Sequence, residues 1–150
     1  MRKKLSFKGI LLGALVDVGG SNIAGIFLVI YLVSHYHLYT LPSSQFSSHM
    51  QDAIMHDPVS FWFSLIIGGG FSVLGGYVAA RIAKHNELLN GTLASFLCVI
   101  ASVSAIGQAT PLEVFIGIVG NPLLALGGGY LRLKQVHNTS PKSTKKKKRK

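Results

Sequence analysis

Asp17 is the residue whose chemistry most needs an explanation, because it is an acid inside an apolar run. It lies in the stretch GALVDVGGSNIAG, residues 13–25. A carboxylate in such surroundings costs on the order of a few kcal/mol unless it faces other protein, has a polar partner or takes up a proton. Asn22 in the same run and Asn121 in a later one are the candidate partners.

Asn121 is followed directly by Pro122 in another apolar run. Proline has no backbone N–H, so it leaves the carbonyl of Ile118 without its helical donor. Interrupted helices of this kind surround substrate or ion sites in transporters. Two hypotheses stay open for Asp17. It is either a structural hydrogen-bonding group between helices, or a proton- or ion-linked site with Asn22, Asn121 and Pro122 beside it.

The polar segment 34–60 holds the other residues with ligand chemistry. These are His35, His37, His49, His56, Asp52 and Asp57. Their spacing matches no zinc template, so we expect solvated histidines, no metal site and no cofactor. The chain also lacks the serine-hydrolase elbow, the P-loop, the zinc-protease motif and the dinucleotide fingerprint. We therefore expect no enzyme activity, and a membrane enzyme that uses the histidines is the least favoured hypothesis.

Four apolar runs position these residues, and each is long enough to cross a bilayer, which takes about 20 helical residues. They are residues 10–33, 61–83, 88–106 and 114–131. Charged residues make up 13% of the chain, against about 25% in soluble domains. Helices are expected, because a helix satisfies its own backbone hydrogen bonds in lipid, whereas an open strand edge does not. The short links between the runs make neighbouring spans antiparallel. The sequence predicts an all-α polytopic membrane domain over residues 1–134, with four transmembrane helices in two antiparallel hairpins.

Asp57-Pro58 predicts where the second helix begins, as an N-cap followed by proline at the first helical position.

The N-terminal run has a rival interpretation as a signal peptide. Asp17 interrupts that run, and no A-x-A cleavage site follows, which argues against it. A buried soluble helix bundle is the other rival, and it does not explain how the charges are distributed.

Lysine and arginine are confined to the N-terminal segment, the link 81–86 and the segment from Arg132 onward. Residues 34–60 and 107–113 contain neither. Because these residues favour the cytoplasmic side of short loops, both termini are predicted to be cytoplasmic.

The segment 135–150 is predicted to be a disordered basic tail, because Ser, Thr, Pro and Lys cannot bury apolar area. Such a tail is attracted to anionic lipid headgroups by about 1 kcal/mol per basic residue near the surface. Its lysines are not interleaved with aromatic residues. Specific nucleic-acid recognition is therefore not expected, although a lysine cluster binds phosphate regardless of sequence.

Small residues recur at every fourth position in three of the runs. The series are Gly9, Gly13, Asp17, Ser21 and Gly25, then Gly68, Ser72, Gly76 and Ala80, and then Gly117, Asn121, Ala125 and Gly129. This spacing lets helices approach closely in lipid, where there is no hydrophobic driving force between them. The glycines expected at helix contacts are Gly13, Gly25, Gly68, Gly76, Gly117 and Gly129. A homo-oligomer or another membrane protein is the expected protein partner.

The second and fourth runs end alike, with GGYVAAR at 75–81 and GGYLR at 128–132. Both ends face the cytoplasm in the predicted topology. Tyrosine and basic residues favour the membrane interface, so the expected anchors are Tyr77, Arg81, Tyr130 and Arg132. The similarity of the two ends also suggests two parallel hairpins related by duplication.

The stretch GGYVAARIAKHNELLNGTLAS, residues 75–95, resembles a signature of small four-span prokaryotic membrane proteins of unknown function. The matching positions are Gly75, Gly76, Tyr77, Ala79, Arg81, Ala83 and Gly91. Ala80 stands where a second small residue, often glycine, is usual in the signature, and Asn90 stands where histidine is frequent. The resemblance covers one hairpin. It implies a prokaryotic plasma membrane and a helical architecture, and it implies no activity.

These features predict an integral membrane protein that acts as a non-enzymatic helix-packing or accessory component. The alternative is a small oligomeric transporter or channel with a proton- or ion-linked site at Asp17. The two hypotheses differ in whether Asp17 serves assembly or a path through the membrane.

Overall fold

The computed structural model of the chain describes residues 5–103 and 111–139, and all regular structure in these ranges is helical. The first part comprises α1 (Phe7–His35), a 3-10 turn (Leu38–Thr40) and α2 (Ser43–His56). One continuous helix follows, made of α3 (Pro58–Phe63), a π-helical turn (Ser64–Gly68) and α4 (Gly69–Ala83). The last helices are α5 (Glu87–Val103) and α6 (Pro111–Thr139). The all-α prediction is confirmed for the described residues.

Two helical segments of the described chain, Phe7–His35 and Pro58–Ala83, are long and apolar enough to cross a membrane. The apolar part of α5, Glu87–Ile100, is shorter than a span. The predicted third span ends at residue 106, which lies outside the described residues. Four spans are therefore not confirmed, and the four-span topology stays a prediction.

Polar caps fix where two of the helices begin. The Ser6 hydroxyl accepts a hydrogen bond of 3.2 Å from the backbone N–H of Gly9 at the start of α1. The Asp57 carboxylate accepts one of 2.7 Å from the N–H of Ser60, and Pro58 occupies the first turn of α3. The predicted start of the second membrane-length helix at Asp57-Pro58 is therefore confirmed, as the start of α3.

α4 is the central helix, and it packs against α1, α5 and α6. Its contacts with α1 run in opposite directions along the two chains, from Gly9 beside Ala79 to Gly13 beside Gly75. A Cβ at Gly13 would lie 2.6 Å from the carbonyl oxygen of Gly75. These two helices are therefore antiparallel and touch through their backbones.

α5 and α6 are antiparallel by the same criterion. Glu87 lies beside Gly129, and Gly91, one turn further along α5, lies beside Ala125. The described helices therefore run alternately up and down, as the predicted antiparallel hairpins require. Close contact of this kind depends on small residues, because any larger side chain separates the backbones.

The interior consists of small and polar residues, whereas the surface is apolar. The largest fully buried side chains in the described chain are Leu32, Asn90, Ser60 and Ser95. Phe27, Ile30 and Leu65, in contrast, are each more than half exposed. Soluble domains usually place large apolar side chains inside and polar ones outside. This molecule has the opposite arrangement.

α6 is longer than predicted, because it continues past Leu131 to Thr139 and enters the segment predicted as tail. Within this extension the side-chain oxygen of Gln135 accepts hydrogen bonds from the Tyr77 hydroxyl at 2.6 Å and from Arg132 at 3.1 Å. These bonds tie the end of α6 to α4. The predicted start of the tail at residue 135 is therefore corrected, and residues 140–150 lie outside the described ones.

Candidate functional site

A cleft of about 620 Å³ lies between α1, the π-helical turn, α4, α5 and α6, and its lining is mostly apolar with a set of polar residues. The polar residues that line it are Asp17, Ser21, Asn22, Ser64, Ser72, Cys98 and Asn121. Three residues predicted as a polar site, Asp17, Asn22 and Asn121, are thus brought to one cavity from two distant parts of the sequence. The fourth, Pro122, is buried within α6 next to Asn121, and α6 continues through it as one helix, so the expected interruption is not observed.

The cleft forms because the helices are in close contact on one side of Asp17 and diverge on the other. On the contact side, Gly13 touches the backbone at Gly75. On the opposite side, Gly68 and Gly117 line the cleft, and a Cβ at either would meet nothing within 4 Å. Small residues on that side leave space instead of making contacts.

Only some of the glycines predicted at helix contacts lie at such contacts. Gly13, Gly76 and Gly129 each approach the backbone of a neighbouring helix. A Cβ would meet nothing within 4 Å at the other three, which are Gly25, Gly68 and Gly117. The expected contact is absent for these three within the described chain, because the small-residue series continue beyond the point where the helices diverge.

Asp17 lies where α1 crosses α4, and its residue surface is 5% exposed. Its Oδ1 accepts a hydrogen bond of 3.1 Å from the Ser72 hydroxyl, and the Cys98 thiol lies within hydrogen-bonding reach. The Cys98 thiol also contacts the carbonyl oxygen of Ala94, at 3.3 Å. The carboxylate therefore links α1 to both α4 and α5. No lysine, arginine or histidine lines the cleft, so its described lining provides no counter-charge.

Neither predicted asparagine partner is hydrogen-bonded to Asp17. The side-chain nitrogen of Asn22 donates instead to the carbonyl of Val18 in its own helix, at 2.7 Å. Asn22 is five positions from Asp17 and thus about 140° around the helix, which explains why it does not reach the carboxylate. Asn121 is half-buried in the cleft wall, and its side chain makes no hydrogen bond with the described residues.

Ser72 and Cys98 are the partners that sequence reasoning did not assign to Asp17. Ser72 had a usable signal, because it lies in the same series as Gly68 and Gly76 and so shares their helix face. Cys98 had none, since a lone cysteine in an apolar run is commonly just a small buried residue. Contacts between helices decide such pairings.

Asn90 forms a second buried polar site, at the N-terminal end of α1. It is fully buried, and its side-chain oxygen accepts a hydrogen bond of 2.9 Å from the N–H of Ser6. Its nitrogen donates to the carbonyls of His85 at 2.9 Å and Asn86 at 3.1 Å. This asparagine therefore connects the start of α1 to the α4–α5 turn.

Asp57 anchors a polar group at the opposite end of the molecule. It accepts hydrogen bonds from the Ser60 N–H at 2.7 Å, from the Ser60 hydroxyl at 3.0 Å and from the Tyr36 hydroxyl at 3.1 Å. Burial acts to raise the pKa of Asp57, but these hydrogen bonds outweigh it, so the pKa lies below its ordinary value. Burial and the neighbouring carboxylate both raise the pKa of Tyr36.

The predicted histidine segment does not assemble a metal site among the described residues, where no group of three or more histidines, cysteines or acids is placed to hold an ion. His49, Asp52 and His56 line a separate cavity of about 610 Å³ beside Tyr36. His56 is hydrogen-bonded at 3.0 Å to the backbone carbonyl of Asp52, in its own helix.

The predicted interface anchors of α4 and α6 meet at one end of the bundle. Tyr77 and Arg132 share Gln135 as a hydrogen-bond partner, while Arg81 and Tyr130 are exposed. The structure therefore links Tyr77 and Arg132 through Gln135, at the end opposite to Asp57. Their contact with a membrane interface stays a prediction.

The cleft at Asp17 is the candidate functional site, because it combines a buried acid, several hydroxyl groups and an amide without a described partner around one cavity. Such a set of groups can release and take up a proton or can coordinate a cation through oxygen. Comparisons with protein-family models, curated proteins and solved structures give no match to this chain.

Proposed function

We propose that this protein spans the membrane four times and acts as a non-enzymatic component that packs against other membrane helices. The observation that carries the proposal is the apolar surface around an interior of small and polar residues. Water-soluble monomers rarely expose apolar patches larger than a few hundred Å². In lipid the same surface is solvated, and the small residues allow the helices to pack.

The proposed topology places both termini in the cytoplasm of a prokaryotic cell, with the basic tail at the anionic headgroups. It is supported by two membrane-length helices and by the confinement of lysine and arginine to three segments. The test uses single cysteines in a Cys98→Ala background, at Lys4, Ser48 and Asn138. An impermeant maleimide added to intact cells should label only the variant at Ser48. Labelling at one terminus but not the other would refute the topology.

The packing role is supported by Gly25, which is not part of the described lining of the cleft and which leaves room for a helix of a second copy or of another membrane protein. Asp17 then serves as a hydrogen-bonding link between α1, α4 and α5. We expect wild-type and Asp17→Asn vesicles to be no more permeable to protons and ions than empty ones. The substitution should weaken assembly, as measured by thermal unfolding and by the size of the particle in detergent.

An oligomeric transporter or channel is the second candidate, and the cleft is the observation that favours it. The cavity holds a buried acid, and its described lining has no counter-charge. A structural hydrogen bond between helices needs no such cavity, whereas a proton- or ion-linked site does. This function predicts ion or proton flux into vesicles above that of empty ones, and its loss in Asp17→Asn. Flux that is equal in both proteins would reject a role of Asp17 in transport.

A further inference from the structure

The described lining of the cleft provides no counter-charge for Asp17. The described partners of its carboxylate are the Ser72 hydroxyl and the Cys98 thiol, which are neutral donors. Asp17 from α1 and Cys98 from α5 are the titratable groups in the described lining, and the π-helical turn, α4 and α6 contribute none. Within a membrane, a carboxylate without a counter-charge requires a proton or a cation.

Several neutral polar residues line the same cleft as Asp17, among residues that are mostly apolar. The hydroxyls of Ser21 and Ser64 and the side chain of Asn121 line the cavity. The Ser72 oxygen keeps lone pairs after its hydrogen has been donated to Asp17. One carboxylate together with hydroxyl and amide oxygens is a hard ligand set, which suits cations that prefer oxygen.

The charge balance selects a monovalent cation. One carboxylate neutralises one positive charge, whereas a divalent ion would leave a net positive charge in low-dielectric surroundings. Calcium commonly takes 6–8 oxygen ligands, including carboxylates, and this described lining has only one acid, Asp17. Zinc prefers cysteine and histidine, and Cys98 is the only such residue in the described lining.

The size of the cavity sets how the ion is held. Its volume of about 620 Å³ is far greater than the roughly 30 Å³ of one water molecule. An alkali cation at Asp17 would therefore keep part of its hydration shell, with water filling the space toward Ser64 and Asn121. A partly hydrated ion can exchange more easily than one enclosed by protein alone.

We infer that the cleft binds a monovalent alkali cation at the Asp17 carboxylate, in exchange for a proton. The carboxylic acid gives up its proton to water as the cation binds, and the reverse step releases the cation. The inference rests on the proposed membrane placement, and it specifies the ligand of the second candidate function. Asp17 is expected to contribute most to the affinity for the cation, and Ser72 and Asn121 are expected to contribute less.

The test titrates the full chain in lipid nanodiscs with NaCl, KCl or LiCl, with choline chloride keeping ionic strength constant, and follows thermal unfolding. Asp17→Asn and Asp52→Asn form a matched pair, because Asp52 is an exposed acid on α2. We expect saturable stabilisation in the wild type and in Asp52→Asn, and an affinity at least about tenfold weaker in Asp17→Asn. The apparent Kd should rise on acidification, by up to about tenfold per pH unit. Identical responses of the two variants, or no saturable response in the wild type, would overturn the inference.

Cys98 allows a second measurement on the unmodified protein, in case Asp17→Asn does not fold. It is the only cysteine in the chain, and it lines the cleft near Asp17. Alkylation of this thiol by a small neutral maleimide should be slower in NaCl than in choline chloride at the same ionic strength. Ser72→Ala, which keeps the carboxylate, should retain part of this protection. Equal rates in the two salts would reject cation binding in the cleft.

Flux measurements separate this inference from the second candidate function. Saturable cation binding without sodium or proton flux retains the site and rejects transport. Flux in the wild type without saturable binding would reject the cation site at Asp17 but would still support a transport function. The cysteine-accessibility experiment tests the membrane topology independently of both.

Discussion

Single atoms decide where the helices of this protein touch, and the glycines illustrate this. A Cβ at Gly76 would overlap the backbone of Ala125, whereas a Cβ at Gly70 in the same helix would meet nothing within 4 Å. The obstacle at Gly76 is backbone, which cannot rotate away as a side chain can. The two glycines therefore differ in function although they lie close together in sequence.

Gly76→Ala should destabilise the folded protein by about 1–3 kcal/mol, because the added methyl group separates α4 from α6. Gly70→Ala is the matched control, and it should change stability little or increase it slightly, since alanine favours the helix. The free energy of unfolding in mixed detergent measures both. Equal losses in the two variants would contradict the contact at Gly76.

Asn90→Ala should cost about 1–3 kcal/mol, because it leaves the N–H of Ser6 and two carbonyls of the α4–α5 turn without their partner. Asn22→Ala is the comparison, since Asn22 is exposed and bonds only within its own helix. It should change stability much less. Thermal unfolding in detergent measures the melting temperatures of both variants. Similar melting temperatures would show that the hydrogen bonds of Asn90 do not stabilise the fold.

The sequence predicts a polar site of Asp17, Asn22, Asn121 and Pro122, because polar groups are rare in apolar runs, and the first three line one cleft. It did not identify Ser72 as the hydrogen-bond partner of Asp17, nor Asn90 as a buried structural residue. Such pairings depend on how far each helix is rotated and shifted against its neighbour. A periodic pattern gives the face of a helix but not its register against another.

At the scale of elements, the cap at Asp57-Pro58 was the most predictable feature. Asp57-Pro58 starts α3 because its carboxylate and the proline ring act locally, within one turn of the chain. The end of α6 was not predictable in the same way, since Gln135 is held by Tyr77 from another helix. The sequence also does not show which glycines of each series contact a neighbouring helix, because that depends on where the helices diverge.

The cap at Asp57 should make the start of α3 sensitive to acid. Hydrogen bonds lower the pKa of this carboxyl below that of an unfolded aspartate, which is about 4. The carboxylate therefore stabilises the fold above that value, and the contribution is lost as the pH falls through the lower pKa of the folded state. Asp57→Asn keeps a capping side chain but cannot ionise.

The melting temperature of the wild type minus that of Asp57→Asn should thus be largest above about pH 4 and should shrink at lower pH. Thermal unfolding in detergent between neutral and acid pH measures this difference. Tyr36→Phe removes one donor to Asp57 and should reduce the difference without abolishing it, because Ser60 still donates. A difference that is the same at every pH would contradict a stabilising carboxylate.

At the scale of the whole molecule, the proposed membrane placement explains why the surface is apolar and the interior is small and polar. The helices pack through glycine, alanine and serine, so burial of large apolar side chains contributes little to this fold. In water those exposed side chains would drive association. In the proposed bilayer they would be solvated by lipid, and close backbone contact, together with buried hydrogen bonds such as Ser72 to Asp17, would hold the helices together.

A matched pair of lysine substitutions distinguishes a membrane protein from a soluble bundle. Phe27 in α1 and Tyr39 in the turn after it are almost equally exposed, at 64% and 66%. A soluble bundle would tolerate lysine at both positions alike. In the proposed topology Phe27 faces lipid, so Phe27→Lys should cost about 3 kcal/mol of insertion free energy, while Tyr39→Lys should cost far less. The inserted fraction of each variant, measured by carbonate extraction of membranes, provides the comparison. Equal insertion of the two, or recovery of both in the soluble fraction, would refute the membrane placement on which the cation site at Asp17 rests.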